Sequence, residues 1–167
     1  MAALLCVLSP MSVPIGPVPV SPAIFVVCLA AYLLGAKNAL LSVAVYLLIG
    51  AAGLPVFSGF SGGLAKLAGP TGGYLAGYLL TACIGGFAAE KSGRRGLLTF
   101  CGMAAGVAAA YVLGTAWFMI STGAELSYAL SVCVLPFIPV DLVKIGAAIL
   151  AGKAVYQGLS AAGLVHP

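Results

Sequence analysis

Val132-Cys-Val-Leu-Pro-Phe-Ile-Pro-Val-Asp-Leu-Val-Lys-Ile-Gly-Ala-Ala-Ile-Leu150 is an apolar run that carries the chain's only aspartate, Asp141, and, three residues on, Lys144. A charged side chain at membrane depth costs on the order of 2.5–3.5 kcal/mol on insertion scales. Residues three apart share a helical face, so the two charges either hold each other or together hold a polar ligand. Pro139 suits a first helical position. Asp141 then falls in the first turn, where a carboxylate favours the helix dipole. The plainer alternative is a first-turn aspartate beside a lysine that snorkels to the outer interface.

Working outward, the composition places this run in a membrane. Of 167 residues, 63% are hydrophobic and 6% charged, and the mean hydropathy is +1.22. Soluble domains carry about 25% charged residues, and a water-facing surface cannot be built from so few. The length suits one domain over residues 1–167. Cys6, Cys28, Cys83, Cys101 and Cys133 fall in apolar runs without CxxC spacing. An odd count without a motif argues against a disulfide framework or a zinc site, and small buried apolar residues are the simpler reading.

The chain divides into about six apolar segments by periodicity and breakers. They run from Ala2 to about Val13, from Ser21 to Gly35, from Asn38 to Gly53, from Gly72 to Ala89, from Leu97 to about Ile120, and from near Pro139 to near Gly158. A spanning helix needs about 17–25 residues. The fourth segment just qualifies, and the first is short and broken by Pro10 and Pro14. A cleaved signal peptide is discounted because no Lys or Arg precedes Lys37. With both termini on one side, Lys37, Lys91, Arg94, Arg95 and Lys153 share that side and Lys66 lies opposite with Glu125. That bias makes the termini cytoplasmic. The turn at Ala89-Glu-Lys-Ser-Gly-Arg-Arg-Gly96 then fixes topology and touches anionic lipid headgroups, or meets a cytoplasmic-side partner.

Helix packing is also legible. Gly73, Gly77, Thr81 and Gly85 repeat at four-residue spacing, as do Gly102, Gly106, Ala110 and Gly114. Such spacing lines small residues along one helix face, and two such faces let backbones approach closely in lipid. Between segments three and four, Gly53 to Gly73 mixes Gly, Pro and Ser with Phe57 and Phe60. Irregular backbone near membrane depth is tolerated where it is buried in protein or lines a cavity. A lid over a ligand pocket is one reading of this outer loop; an interfacial loop with aromatic anchors is the other.

Absent motifs narrow the field. The only Gly-Lys, Gly152-Lys153, is followed by Ala154, so there is no P-loop. There is no HExxH, and the sole histidine is His166. Three acidic residues in all are too few for a hard-ligand metal site. Neither an enzyme, a resident metal nor a cofactor is expected, and no nucleic-acid partner.

Three blocks carry a family resemblance. Gly50-Ala-Ala-Gly-Leu-Pro-Val-Phe-Ser-Gly-Phe-Ser-Gly-Gly63, Gly69-Pro-Thr-Gly-Gly-Tyr-Leu-Ala-Gly77 and Pro136-Phe-Ile-Pro-Val-Asp-Leu-Val-Lys144 resemble, in order and spacing, the motifs of the BioY family. Those proteins are the biotin-binding S components of energy-coupling-factor transporters. Gly16-Pro-Val-Pro-Val-Ser21 resembles the family's segment between helices one and two, with Ala23 where a glutamine is expected. The resemblance implies an all-α bundle of six transmembrane helices in the bacterial cytoplasmic membrane, with biotin bound near the outer face. It also implies a transmembrane coupling protein and two cytoplasmic ATPases as partners, which would supply the ATP hydrolysis this chain cannot perform. On that basis Asp141 and Lys144 meet the ligand's polar groups, with the choice of end left open. Phe57, Phe60, Tyr74 and Tyr78 are candidates to pack on its apolar rings, and Gly72 and Gly73 to bring backbone amides close. For the two tyrosines, interfacial anchoring is the competing explanation. The rival functions are an S component for another small vitamin and a ligand-free membrane scaffold in which Asp141 and Lys144 simply pair.

Overall fold

The computed structural model describes residues 1–13, 18–94 and 96–161. Pro14, Gly16, Pro17, Arg95 and His166, all used in the sequence reading, lie outside the described residues. The chain is helical: α1 (Ala2–Leu8), α2 (Ala23–Ala51), α3 (Leu64–Ala68), α4 (Gly72–Lys91), α5 (Gly96–Thr122), α6 (Leu126–Cys133) and α7 (Phe137–Ala161). Among the described residues, pairing of extended backbone is limited to two isolated bridges, Val13 with Val20 and Phe57 with Ser61.

Three of these helices, α2, α4 and α5, are long and apolar enough to cross a membrane. A fourth crossing results if α6 and α7, bent by 41° across their short break, count as one. Large apolar side chains on α5 point outward, with Val112 73% and Ile120 80% exposed. In water such a surface would be untenable, and against lipid it is the expected outer face.

Segments two and three of the sequence form one continuous element, α2, broken only at Gly35 (φ 74°, ψ −178°). That backbone region is essentially restricted to glycine. The break is a reversal rather than a mild kink. In a straight helix Ser21 and Tyr46 would be about 37 Å apart at 1.5 Å per residue. Here Ser9 touches both: the Ser21 hydroxyl donates to the Ser9 carbonyl at 2.9 Å, and the Ser9 and Tyr46 hydroxyls lie 2.6 Å apart. The two halves of α2 therefore fold back on each other, with α1 laid against both of their outer ends.

Polar contacts close the reversal at its tip. Glu90 Oε1 accepts the Ala36 N–H at 3.1 Å, and Arg94 Nε donates to the Tyr32 carbonyl at 3.0 Å. The Arg94 guanidinium also sits 4.5 Å from the Tyr156 ring centroid. Lys37 and Lys91 are close in sequence to these groups, and Lys153 follows Gly152, which lies against the Tyr32 ring. The bundle thus has a basic end, and Asp141 and Lys144 lie at the other.

The two small-residue faces meet along the α4–α5 seam. A Cβ on Gly77 would lie 2.8 Å from Ala110 Cα, and one on Gly106 would lie 3.0 Å from Thr81 Cα. Gly73 packs on Trp117 and Gly114 on the Tyr74 ring. The Thr81 hydroxyl crosses the seam to the Gly106 carbonyl at 3.1 Å while also facing its own Gly77 carbonyl at 3.2 Å. Close approach and a hydroxyl bond are how helices associate where apolar burial gives no net drive.

Helix ends differ from expectation in physically simple ways. α7 starts at Phe137, not Pro139. Proline is still tolerated there, because the N–H groups of a first turn have no intrahelical acceptor. Two short helices were not foreseen, α3 inside the Gly53–Gly73 loop and α6 between α5 and α7. Each is too brief for a clear period. α5 stops at Gly123, whose φ of 71° ends the helix while its N–H still reaches the Met119 carbonyl at 2.8 Å.

Candidate ligand-binding site

Asp141 is 1% exposed, and each of its carboxylate oxygens has one donor. Lys144 Nζ donates to Oδ1 at 2.9 Å, and the Tyr111 hydroxyl donates to Oδ2 at 2.6 Å. Lys144 also donates to the Ser21 carbonyl at 2.9 Å, which joins the first turns of α7 to the start of α2. The helical spacing accounts for the ion pair, since positions three apart project from the same face. α5 brings Tyr111 across from the other side. The membrane-depth charges are therefore mutually compensated, as a buried pair must be.

Bonding capacity remains. A carboxylate offers about four lone-pair sites and an ammonium three N–H donors. With two of each in use, Asp141 can accept two further hydrogen bonds and Lys144 can donate one. These groups border a cleft of about 40 Å³, walled by Ser21, Ile24, Tyr74, Tyr78, Tyr111 and Phe137. That is room for a few water molecules. A bicyclic organic ligand requires the walls to move apart.

Of the residues singled out in the sequence, the structure brings Asp141, Lys144, Tyr74 and Tyr78 to this one cleft. The Tyr74 hydroxyl is held by Thr115 Oγ1 at 3.0 Å, which fixes the ring as a wall. Phe57 lies elsewhere: it is fully buried, edge-on to Tyr46 with ring centroids 5.5 Å apart, and packed on Gly50. It staples the Gly-rich loop to the second half of α2. Phe60 is 69% exposed at the loop's tip. Gly72 lies against the Leu67 carbonyl and Gly73 against Trp117, so both serve close packing at the start of α4.

The BioY family model matches residues 1–161. The chain belongs to the BioY family. Among similar BioY proteins, the biotin transporter BioY of Thermotoga maritima is 44% identical over 140 residues, covering 83% of this chain and 81% of the relative. The biotin transporter BioY2 of Lactococcus lactis is 34% identical over 159 residues, covering 95% and 87%. A solved S-component for biotin from an ECF-type ABC transporter has the same fold, with a TM-score of 0.84 at 28% identity over 93% of this chain and 86% of that one.

Two contributors to this cluster escape sequence reasoning. Tyr111 stands among Ala and Gly on α5, and a polar-tipped ring in such a helix was the available signal. Ser21 contributes through its backbone carbonyl, which no side-chain pattern encodes. Its hydroxyl is spent locally, donating to Ser9 and accepting the Ala23 N–H at 3.1 Å.

Proposed function

We propose that this protein binds biotin in the cleft at Asp141 and Lys144, and that it is the substrate-specific S component of an energy-coupling-factor transporter. The observation that carries the reading is the buried carboxylate–ammonium–phenol cluster with acceptor and donor capacity left over, opening on a cleft walled by tyrosines. Biotin's ureido group offers two N–H donors and a carbonyl, its thioether ring is apolar, and its side chain ends in a carboxylate. Rings of that kind suit Tyr74 and Tyr78, as an apolar pocket with a few convergent polar groups suits a small ligand.

In this reading residues 1–167 act as one domain of six membrane segments: a short first one at α1, then the two halves of α2, α4, α5, and α6 with α7. The reversal at Gly35 supports counting α2 twice. The gathering of basic side chains at one end supports placing that end, and both termini, on the cytoplasmic side. The cleft then faces outward, and the Gly53–Gly73 loop lies beside it as a lid, with Phe57 as its anchor and Phe60 as its exposed tip. Gly72 and Gly73 let the loop and α4 approach the cleft closely. Transport itself falls to a membrane coupling protein and two ATPases, since this chain lacks a nucleotide-binding motif.

Radiolabelled biotin binding to the purified, detergent-solubilised chain tests the reading. Saturable binding that is lost in Asp141→Asn and Lys144→Ala is the expected result. A well-folded wild type that retains no biotin would overturn it.

A further inference from the structure

Glycines close the seam between α4 and α5, but the other flank of α5 stays open. A trough of about 530 Å³ runs between that flank and the α6–α7 pair, against about 40 Å³ for the polar cleft. Ala108, Val112 and Ala116, four apart on α5, form one wall. Leu130, Val134 and Ile138, again four apart, form the other. Its two polar side chains, Tyr111 and Thr115, have their hydroxyls engaged by Asp141 and Tyr74. Such walls do not hold water, which needs several polar partners. Left empty, they would forfeit the dispersion contacts of their lining. The dimensions narrow the choice of occupant. From Ala108 to Met119 the trough rises about 16 Å at 1.5 Å per residue. That is about half of a hydrocarbon core roughly 30 Å thick, the reach of one acyl chain from one leaflet. A second copy of the chain fits poorly, because a two-fold interface must be self-complementary and two concave troughs leave a gap.

The trough abuts the ligand cleft through a single side chain. Tyr111 lines the trough, an adjoining chamber of about 230 Å³ that reaches Asp141, and the polar cleft itself. One phenol ring thus stands between the buried ion pair and the lipid-facing side of the bundle. Tyr74, by contrast, is tied to Thr115 and packed on Gly114. Tyr111 is the wall with open space behind it.

We propose that the trough binds one phospholipid acyl chain from the leaflet on the Asp141 side, and that this chain holds Tyr111 against Asp141. When the cleft widens, Tyr111 moves into the trough and the chain leaves. Ligand and lipid then exclude each other, and the exclusion is reciprocal. The exclusion rests on biotin being the ligand of the cleft; the acyl-chain site does not.

Photolabelling of the full chain in nanodiscs tests this. The probe is phosphatidylglycerol with a carbene precursor halfway along one acyl chain, and the labels are mapped by mass spectrometry. Val143 is the control, exposed on another face of α7 and about 8 Å from Ile138 along the axis at 1.5 Å per residue. Labelling at Leu130 and Ile138 is expected to exceed that at Val143 by about tenfold or more, a preference of about 1.4 kcal/mol. Ala116→Phe, whose ring fills the trough, is expected to remove the excess and leave Val143 unchanged. Ala108→Phe serves the same purpose if Ala116→Phe does not fold. Saturating biotin is expected to lower the excess by about fivefold or more. Even labelling of all three positions, or an excess that survives a folded filling variant, means surrounding lipid only and overturns the site. An excess seen with one chain per nanodisc but lost with two assigns the trough to a second copy and also overturns it. An excess that biotin leaves unchanged, in protein that binds biotin, overturns the coupling through Tyr111. Protein that shows the excess but binds no biotin overturns the biotin reading and leaves the acyl-chain site standing.

Discussion

Removing the ammonium while keeping the carboxylate is the most direct probe of what holds the site together. In Lys144→Met, Asp141 Oδ1 loses its donor at 2.9 Å while the residue stays 1% exposed. Leaving one member of a buried pair uncompensated costs about 3–5 kcal/mol. The Lys144 side chain is 16% exposed, so solvent screening brings the expectation to the lower end, about 3 kcal/mol. Asp141→Asn is milder. Its amide oxygen still accepts from Lys144, which also keeps the Ser21 carbonyl, and the loss is about 1–2 kcal/mol. Adding Asp141→Asn to Lys144→Met removes the stranded charge, so the double variant is more stable than Lys144→Met alone, with a coupling of about 2 kcal/mol. A chain of this size shifts its melting temperature by about 2–4 °C per kcal/mol. Lys144→Met therefore melts about 6–12 °C below wild type and the double variant recovers part of that. Thermal melts in detergent without biotin read this directly. A Lys144→Met protein that melts like wild type, or a double variant in which the two losses simply add, would refute the view that the pair is a mutually dependent structural unit.

Two further outcomes test the scaffold. Gly106→Leu forces a branched side chain to where even a Cβ would lie 3.0 Å from Thr81 Cα. It is expected to cost more than about 3 kcal/mol, and an unchanged detergent melt would refute the α4–α5 packing. Gly35→Ala, at φ 74° and against Glu90, is expected to lose at least about 2 kcal/mol, whereas Glu90→Gln, which keeps an oxygen for the Ala36 N–H, changes stability by less than about 0.5 kcal/mol; equal melting of these two variants would refute the role of Gly35 as the reversal.

What the sequence reveals here follows the range over which each signal acts. Apolar runs and four-residue spacing of small side chains are local, and they locate α4, α5 and the seam between them. The Asp141–Lys144 contact is also local, one turn of one helix. Tyr111 and the Ser21 carbonyl reach the pair from 30 and 123 residues away. Their partnership depends on how whole helices are placed, which no local pattern records. Phe57 marks the same limit from the other side. Its motif locates the loop correctly, but a ring in a loop can face a ligand or the core, and Tyr46 with Gly50 offers the better-packed berth. The reversal at Gly35 was legible only as a gap between apolar segments, because the continuous α2 on both sides hides how sharply the chain turns.

The modest size of the cleft, about 40 Å³, has a consequence for the tempo of capture. On the reading that biotin is the ligand, the walls must part to admit it, and the affinity is the intrinsic one reduced by the fraction of free protein that is open. Association is expected to level off at high biotin concentration, at the rate at which the walls part, instead of climbing in proportion to ligand. Once the walls close again, the same barrier slows escape, so a tightly held vitamin and an unhurried uptake are two readings of one narrow space.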